Sequence, residues 1–178
     1  MRLIAAAAAI SLLPFTAIAA GSGDSEPPKE TKTSTDCKGG QVWDEKTQTC
    51  TEAKSGALDN DTLFRAVREL AYAGRPEDAL AVLSAMTEGD TDRVLTYKGF
   101  ANRKAGRLEE GLAYYDAALQ VNPDNLLARS YLGQALVEMG EMQLAQVQLD
   151  EIVARGGAGH WPATALQKAI ETGQTYTY

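Results

Sequence analysis

The chain has 178 residues, of which 44% are hydrophobic, and its formal net charge at pH 7 is −7. This hydrophobic fraction suits a globular core and excludes wholesale disorder. The acidic balance disfavours nucleic acid as a partner, because proteins that bind a phosphate backbone depend on clustered lysine and arginine.

Residues 1–19 have the pattern of a secretory signal peptide. Arg2 precedes an almost wholly apolar stretch at residues 3–18, and Ala17-Ile18-Ala19 has the small-x-small form that signal peptidase reads. The stretch is shorter than the roughly 20 residues that span a bilayer, and no later apolar run approaches that length. We therefore expect a Sec-type signal cleaved after Ala19, and a mature protein in the periplasm or outside the cell without stable membrane insertion. An uncleaved anchor is the alternative.

Residues 20–36 are predicted to form a flexible linker. From residue 21 they read GSGDSEPPKETKTSTD, which contains no aromatic or aliphatic side chain. Such a segment buries too little apolar surface to offset the entropy lost on ordering.

Cys37 and Cys50, the only cysteines, delimit a segment at residues 37–52 that predicts a small disulfide-closed hairpin. An even pair in an oxidising compartment favours a disulfide, and a zinc site would need two further ligands. The spacing of the cysteines, a glycine and Trp43 resembles a fragment of invertebrate-type (peritrophin-like) chitin-binding domains. Trp43 is accordingly expected either to pack on the disulfide or to stack on a sugar ring.

From Asp59 onward the chain has helical periodicity and repeats itself. Gly74, Gly106 and Gly140 anchor three similar segments at nearly equal spacings. These segments resemble the tetratricopeptide repeat (TPR), a helix-turn-helix unit with a period of about 34 residues. The other residues that match its small, aromatic and proline positions are Ala79, Gly99, Tyr115, Ala118, Pro123, Gly133 and Ala145.

The resemblance implies an all-α fold: a right-handed superhelical TPR array of about three repeats over residues 57–174, with a C-terminal capping helix that opens at Trp161-Pro162. Local signals agree with this division. Pro76 suits the first turn of a helix, and Pro123 ends one. The candidate N-caps of two later helices are Asp90 or Thr91, and Asp124 or Asn125.

TPR arrays bind a protein or peptide on the inner face formed by the first helix of each repeat. Carried over to this sequence, the expected groove residues are basic, aromatic and polar: Phe64, Arg68, Tyr72, Arg93, Phe100, Arg103, Lys104 and Gln134, with Ser130 and Glu138 nearby. Such a surface suits an acidic or C-terminal peptide. The alternative function is carbohydrate or cell-wall binding through the Trp43 hairpin, with the repeats as scaffold.

Catalysis is not expected. His160 is the only histidine, and it lies in a glycine-rich stretch without a nearby nucleophile. Neither a phosphate-binding loop nor an HExxH sequence is present. The prediction is a binding protein that uses no metal and no cofactor.

Overall fold

The structure, a computed structural model, describes residues 28–175. The predicted signal peptide and the first part of the predicted linker lie outside the described residues. Within them, the elements in chain order are α1 (Lys32–Thr35), β1 (Gln41–Asp44), β2 (Thr49–Glu52), a 3₁₀ turn (Ala53–Ser55), α2 (Asn60–Tyr72), α3 (Pro76–Leu83), α4 (Asp92–Lys104), α5 (Leu108–Val121), α6 (Leu126–Glu138), α7 (Met142–Ala154) and α8 (Trp161–Thr172). None of these helices is long and apolar enough to cross a bilayer.

Helices α2 to α7 form three consecutive antiparallel pairs, as the repeat predicts. The turn within each pair contains a glycine with positive φ, at 73° for Gly74, 84° for Gly106 and 79° for Gly140. A side chain in this left-handed region would be strained, which is why the sequence repeats glycine at these turns. The caps also follow the prediction, since Thr91 caps α4 and Asn125 caps α6 through their side-chain oxygens.

Small residues allow the paired helices to approach closely. A Cβ placed on Gly99 would lie 2.5 Å from the ring of Tyr115 and 3.0 Å from the carbonyl oxygen of Gly111. Gly133 has the same position in the next repeat but faces Leu166 of α8, whose Cδ2 would lie 2.5 Å from an added Cβ. The other matched alanines, Ala79, Ala118 and Ala145, are fully buried, and Pro123 follows the end of α5.

Helix α8 covers the end of the array. It packs against α6 and α7, where Leu166 and Ala169 join a buried cluster with Ile152 and Leu149. The predicted capping helix is therefore present. The right-handed superhelical twist stays a prediction.

The disulfide hairpin covers the opposite end. The Cys37–Cys50 disulfide is formed, and Trp43 pairs with Cys50 in an antiparallel register. Val42 on β1 is buried and belongs to the main core cluster, which continues into α2 and α3. The hairpin thus supplies apolar surface to the first repeat, which has no preceding repeat to stack on.

The end of the predicted linker is folded, contrary to the expectation for residues 20–36. Glu69, which is 6% exposed on α2, accepts four hydrogen bonds from the backbone N–H and hydroxyl groups of Thr31 and Ser34 at the start of α1. Arg75 donates to two carbonyl groups of α1 and pairs with Asp78. The carboxylate of Glu69 lies at the N-terminus of α1, and the guanidinium of Arg75 lies at its C-terminal carbonyl groups. These charged contacts hold the segment in place although it buries little apolar surface.

Candidate functional site

Three aromatic residues on the first helices of the repeats form a ladder through the array. Phe64, Tyr97 and Tyr131 recur about one repeat period apart, at the same position of successive repeats. Ring centroids are 5.3 Å apart between Phe64 and Tyr97 and 6.3 Å apart between Tyr97 and Tyr131, both edge to face. This geometry is the favoured one for aromatic pairs, so the repeat period places a continuous aromatic layer along α2, α4 and α6.

Phe100 is the centre of this layer. It is fully buried, lies 4.7 Å from the ring of Tyr131 and stacks on Tyr72 at 5.3 Å. The hydroxyl groups of Tyr72 and Tyr131 are hydrogen-bonded to each other. Trp161, at the start of α8, meets Tyr131 edge-on at 6.1 Å. Aromatic residues from four helices therefore share one cluster.

Cationic side chains surround the aromatic layer. Arg93 lies 4.7 Å from the centroid of Phe64, and Lys104 lies 5.7 Å from that of Phe100. Arg68 donates from Nε to the hydroxyl of Tyr97 over 3.2 Å. Cations at such distances are attracted to the negative faces of the rings.

The charges on these cations are balanced to different degrees. Arg93 pairs with Glu88 and Asp61, and the hydrogen bonds from Arg93 to Glu88 contribute most to raising its pKa. Lys104 is exposed and has no ion pair among residues 28–175. Although the residue as a whole is exposed, desolvation of its ammonium group and the neighbouring charge of Arg103 lower the pKa of Lys104, and Glu138 offsets part of this effect. Lys104 is thus a cation whose surroundings favour a new anionic partner.

Arg103 is the least accessible of the cations. Its side chain is 1% exposed, and Nη1 donates to Oε1 of Glu138 over 2.8 Å. Within the described part of the chain, Nε and Nη2 of Arg103 have no acceptor at hydrogen-bonding distance and angle. The buried hydroxyl of Tyr115 has no partner that meets these criteria there either. Burial lowers the pKa of Arg103, but Tyr115 and Glu138 more than offset that effect. The guanidinium is charged and buried, with Glu138 as its ion-pair partner and the hydroxyl of Tyr115 beside it.

The predicted groove residues lie on α2, α4 and α6, at different depths. The buried ones are Phe64, Phe100, Arg103 and Gln134. The half-buried ones are Arg68, Tyr72 and Arg93, and the exposed one is Lys104. Gln134 donates to Ser130, which in turn donates to the carbonyl of Pro162. These residues therefore divide into a buried floor and a smaller accessible surface, and their role as a peptide groove stays a prediction.

We call this accessible surface the A-helix face and define it by the residues Arg68, Tyr72, Arg93, Lys104 and Trp161. The floor beneath it includes Tyr97 and Tyr131, which the sequence interpretation did not select. Their separation by one repeat period was a usable signal, because equal repeat positions lie in register along an array. Trp161 carried no such signal, since it belongs to the capping helix.

A second concavity lies between the hairpin and α2. This cleft has a volume of about 350 Å³ and is lined by Trp43, Val42, Arg65, Arg68 and Glu69, among others. Trp43 is half-buried, and the ammonium of Lys32 lies 4.3 Å from its ring centroid. A sugar that stacked on this ring face would have to displace Lys32.

His160 is exposed and is the N-cap residue of α8, where its carbonyl oxygen accepts a hydrogen bond from Thr164. Across residues 28–175, no three His, Cys, Asp or Glu side chains come close enough together to hold a metal ion. The absence of catalysis stays a prediction.

Comparison with protein families gives a match to part of the array. The family model described as tetratricopeptide repeat matches residues 103–160, from the end of α4 to the loop before α8. Comparisons with curated proteins and with solved structures gave no match. Residues 103–160 are therefore similar to the tetratricopeptide repeat, a unit that generally mediates contacts between proteins and is typically not catalytic.

Proposed function

We propose that this protein is an interaction module that binds a protein or peptide partner through the A-helix face. The observation that carries the proposal is the combination of accessible Tyr72, Trp161 and Lys104 over a continuous aromatic floor. Tyrosine, tryptophan and cationic side chains on a rigid base are the residue types that contribute most to binding energy at interfaces.

The partner segment is proposed to be acidic, with at least one apolar or aromatic side chain. Lys104 offers positive charge, whereas Arg93 already has two carboxylates as partners. A carboxylate on the partner would complement Lys104, and an apolar side chain would cover the half-buried ring of Tyr72. Both contacts use surface that the array leaves accessible.

The module is also proposed to act outside the cytoplasm. Two observations support this location: the signal-like N-terminal sequence and the Cys37–Cys50 disulfide, since structural disulfides persist mainly in oxidising compartments. Expression of the full chain with a reporter fused after residue 178 would test it, because an alkaline phosphatase reporter is active only after export. An inactive reporter with normal protein levels would contradict the location.

Selection of binders from a library of random displayed peptides tests the interaction function while the partner is still unidentified. We expect the selected peptides to be enriched in Asp and Glu next to an apolar residue. Lys104→Glu should weaken their binding about tenfold or more, which corresponds to about 1.4 kcal/mol. Lys46→Glu is the matched control, because Lys46 is exposed on the hairpin turn and carries the same charge.

The same peptides distinguish the alternative sites. Binding that survives Lys104→Glu but is lost in Trp43→Ala would contradict the A-helix face and place the site in the cleft beside the hairpin. A library that yields no binder above background would count against an interaction function for this array. Soluble chitin oligosaccharides, tested in parallel, examine the carbohydrate alternative.

A further inference from the structure

Helix α7 exposes apolar residues along one side. Leu144 and Val147 lie three residues apart on the same side of the helix, and they are 52% and 51% exposed. Gly140 in the preceding turn and Ala154 in the last turn are also exposed and continue this line at helical spacing. We call these four residues the α7 patch. Other residues of α7 are buried against α6 and α8, so the patch is uncovered within residues 28–175.

The two preceding repeats do not have this patch. At the position of Leu144, counted from the glycine of the turn, they have carboxylates, and at the position of Val147 they have alanines. In chain order these residues are Asp78, Ala81, Glu110 and Ala113. Equal repeat positions have equal roles in stacking one repeat on the next. The stacking therefore does not require large apolar side chains at these two positions of α7.

The surroundings of the α7 patch carry little charge and no cation. Residues 142–149 contain no charged side chain, and residues 139–154 contain no lysine or arginine. Helices that lie on a membrane surface typically have these cations on their polar face, where they attract anionic lipids. A strongly charged protein partner would likewise meet no opposite charge over the first two turns of α7. The patch therefore suits an uncharged apolar surface of another protein molecule.

A second copy of this chain offers such a surface, together with a charge that complements it. The first turn of α7 contains no acidic residue, and its N-cap residue Glu141 makes no side-chain hydrogen bond to the helix. The positive end of this helix dipole thus lacks the acidic pair that α3 and α5 have in their first turns. Asp150 is exposed in the second half of α7, where among the described residues only Gln146 donates to its side chain. In an antiparallel pair of α7 helices, Asp150 of each copy lies towards the first turn of the other.

We propose that the α7 patch is an interface between two copies of this chain, in which two α7 helices pack antiparallel about a two-fold axis. With the axis between Leu144 and Val147, Leu144 of each copy contacts Val147 of the other. Helix α7 is only about 20 Å long, and one pair of such helices buries less than the roughly 800 Å² per partner of a standard interface. We therefore expect a reversible dimer with a dissociation constant on the order of 100 μM. The A-helix face belongs to other helices, and the dimer does not depend on it.

Sedimentation equilibrium of the purified protein, at concentrations from about 10 μM to about 1 mM, measures the dissociation constant. Leu144→Glu introduces the residue type that α5 has at the equivalent position, so the fold should tolerate it, with an unchanged circular dichroism spectrum. It should raise the dissociation constant at least about tenfold, because a carboxylate would be buried without a partner.

Ala113→Glu is the matched control. It adds the same charge at an exposed outer position of α5, where the dissociation constant should stay within about twofold of the wild type. A wild-type protein that stays monomeric at about 1 mM would overturn the proposal. An equal effect of Leu144→Glu and Ala113→Glu would overturn it as well, since net charge alone would then explain the change.

Mixed variants test the antiparallel arrangement. Leu144→Glu and Val147→Lys should each dimerise poorly alone, whereas in a mixture Glu at position 144 of one copy meets Lys at position 147 of the other. We expect the mixture to associate at least about fivefold more tightly than either variant. Mixing Val147→Lys with Ala113→Glu should give no such gain. No gain in the first mixture, or an equal gain in both, would refute the contact between Leu144 and Val147.

Vesicles of phosphatidylcholine test a lipid surface as the other occupant of the α7 patch. We expect the wild-type protein not to bind them above background in a flotation assay. Binding that Leu144→Glu abolishes and Ala113→Glu leaves unchanged would assign the patch to a membrane surface and overturn the dimer.

Discussion

Replacing Glu138 by Gln should destabilise the fold although the side chain keeps its shape. Glu138 neutralises Arg103, whose side chain is 1% exposed, while Glu138 itself is 33% exposed. Removing one partner of a buried ion pair leaves an uncompensated charge and costs about 3–5 kcal/mol. Because Glu138 keeps a third of its surface in water, we expect the loss to be smaller, about 2–3 kcal/mol.

Urea unfolding followed by circular dichroism at 222 nm measures this loss. With a slope of about 2 kcal/mol per molar urea, the midpoint should fall by about 1–1.5 M. Asp116→Asn is the control, because it removes one negative charge from an exposed position of α5 that has no hydrogen bond or ion pair among the described residues. Its unfolding free energy should change by less than about 0.5 kcal/mol.

A double variant decides whether the buried charge is the cause. Arg103→Met replaces the guanidinium by an apolar side chain, a change that is often neutral or stabilising for a buried pair. Arg103→Met with Glu138→Gln should therefore be more stable than Glu138→Gln alone. The reasoning is refuted if Glu138→Gln matches the Asp116→Asn control, or if the two substitutions at the pair add without any rescue.

Three further predictions concern the core and the N-terminal segment. Phe100→Ala should cost about 3–5 kcal/mol, since it empties the centre of the aromatic layer; Phe100→Leu should cost clearly less in the same urea assay, and equal losses would contradict a cavity effect. Burial raises the pKa of Tyr115 to about 12 and that of Tyr131 well above its usual value. The unfolded chain releases these protons near pH 10, whereas the folded chain keeps them. The contribution of Tyr115 to the free energy of unfolding is therefore fully present below pH 10. It is lost, by about 3 kcal/mol, as the pH rises to about 12. Urea unfolding at pH 8 and pH 11 and absorbance at 295 nm measure this, and ionisation of all tyrosines near pH 10 in the folded chain would disprove it. Glu69→Gln should release α1, because one amide oxygen cannot replace a carboxylate that accepts four hydrogen bonds; amide exchange should accelerate at residues 31–36 but not in α4, and unchanged exchange would show that Glu69 does not hold the segment.

Most helix boundaries of the array were readable from the sequence. A glycine at each turn, a proline after α5 and a capping side chain before α4 and α6 act within a few residues of their own position, and the repeat period brings them into register. The disulfide was readable for a similar reason, because a chain that is predicted to be exported and has two cysteines has one pairing available.

Burial and docking were decided only by the tertiary structure. Residues 31–36 carry no apolar pattern, and they fold because Glu69 and Arg75, far along the chain, supply charges at the two ends of α1. Phe64 and Phe100 were expected to line an open groove, yet the close approach of α2, α4 and α6 encloses them. Local sequence determines where a helix begins and ends, whereas the depth of a side chain depends on how near the next helix lies. That distance is set by contacts between residues that lie a full repeat or more apart in the chain.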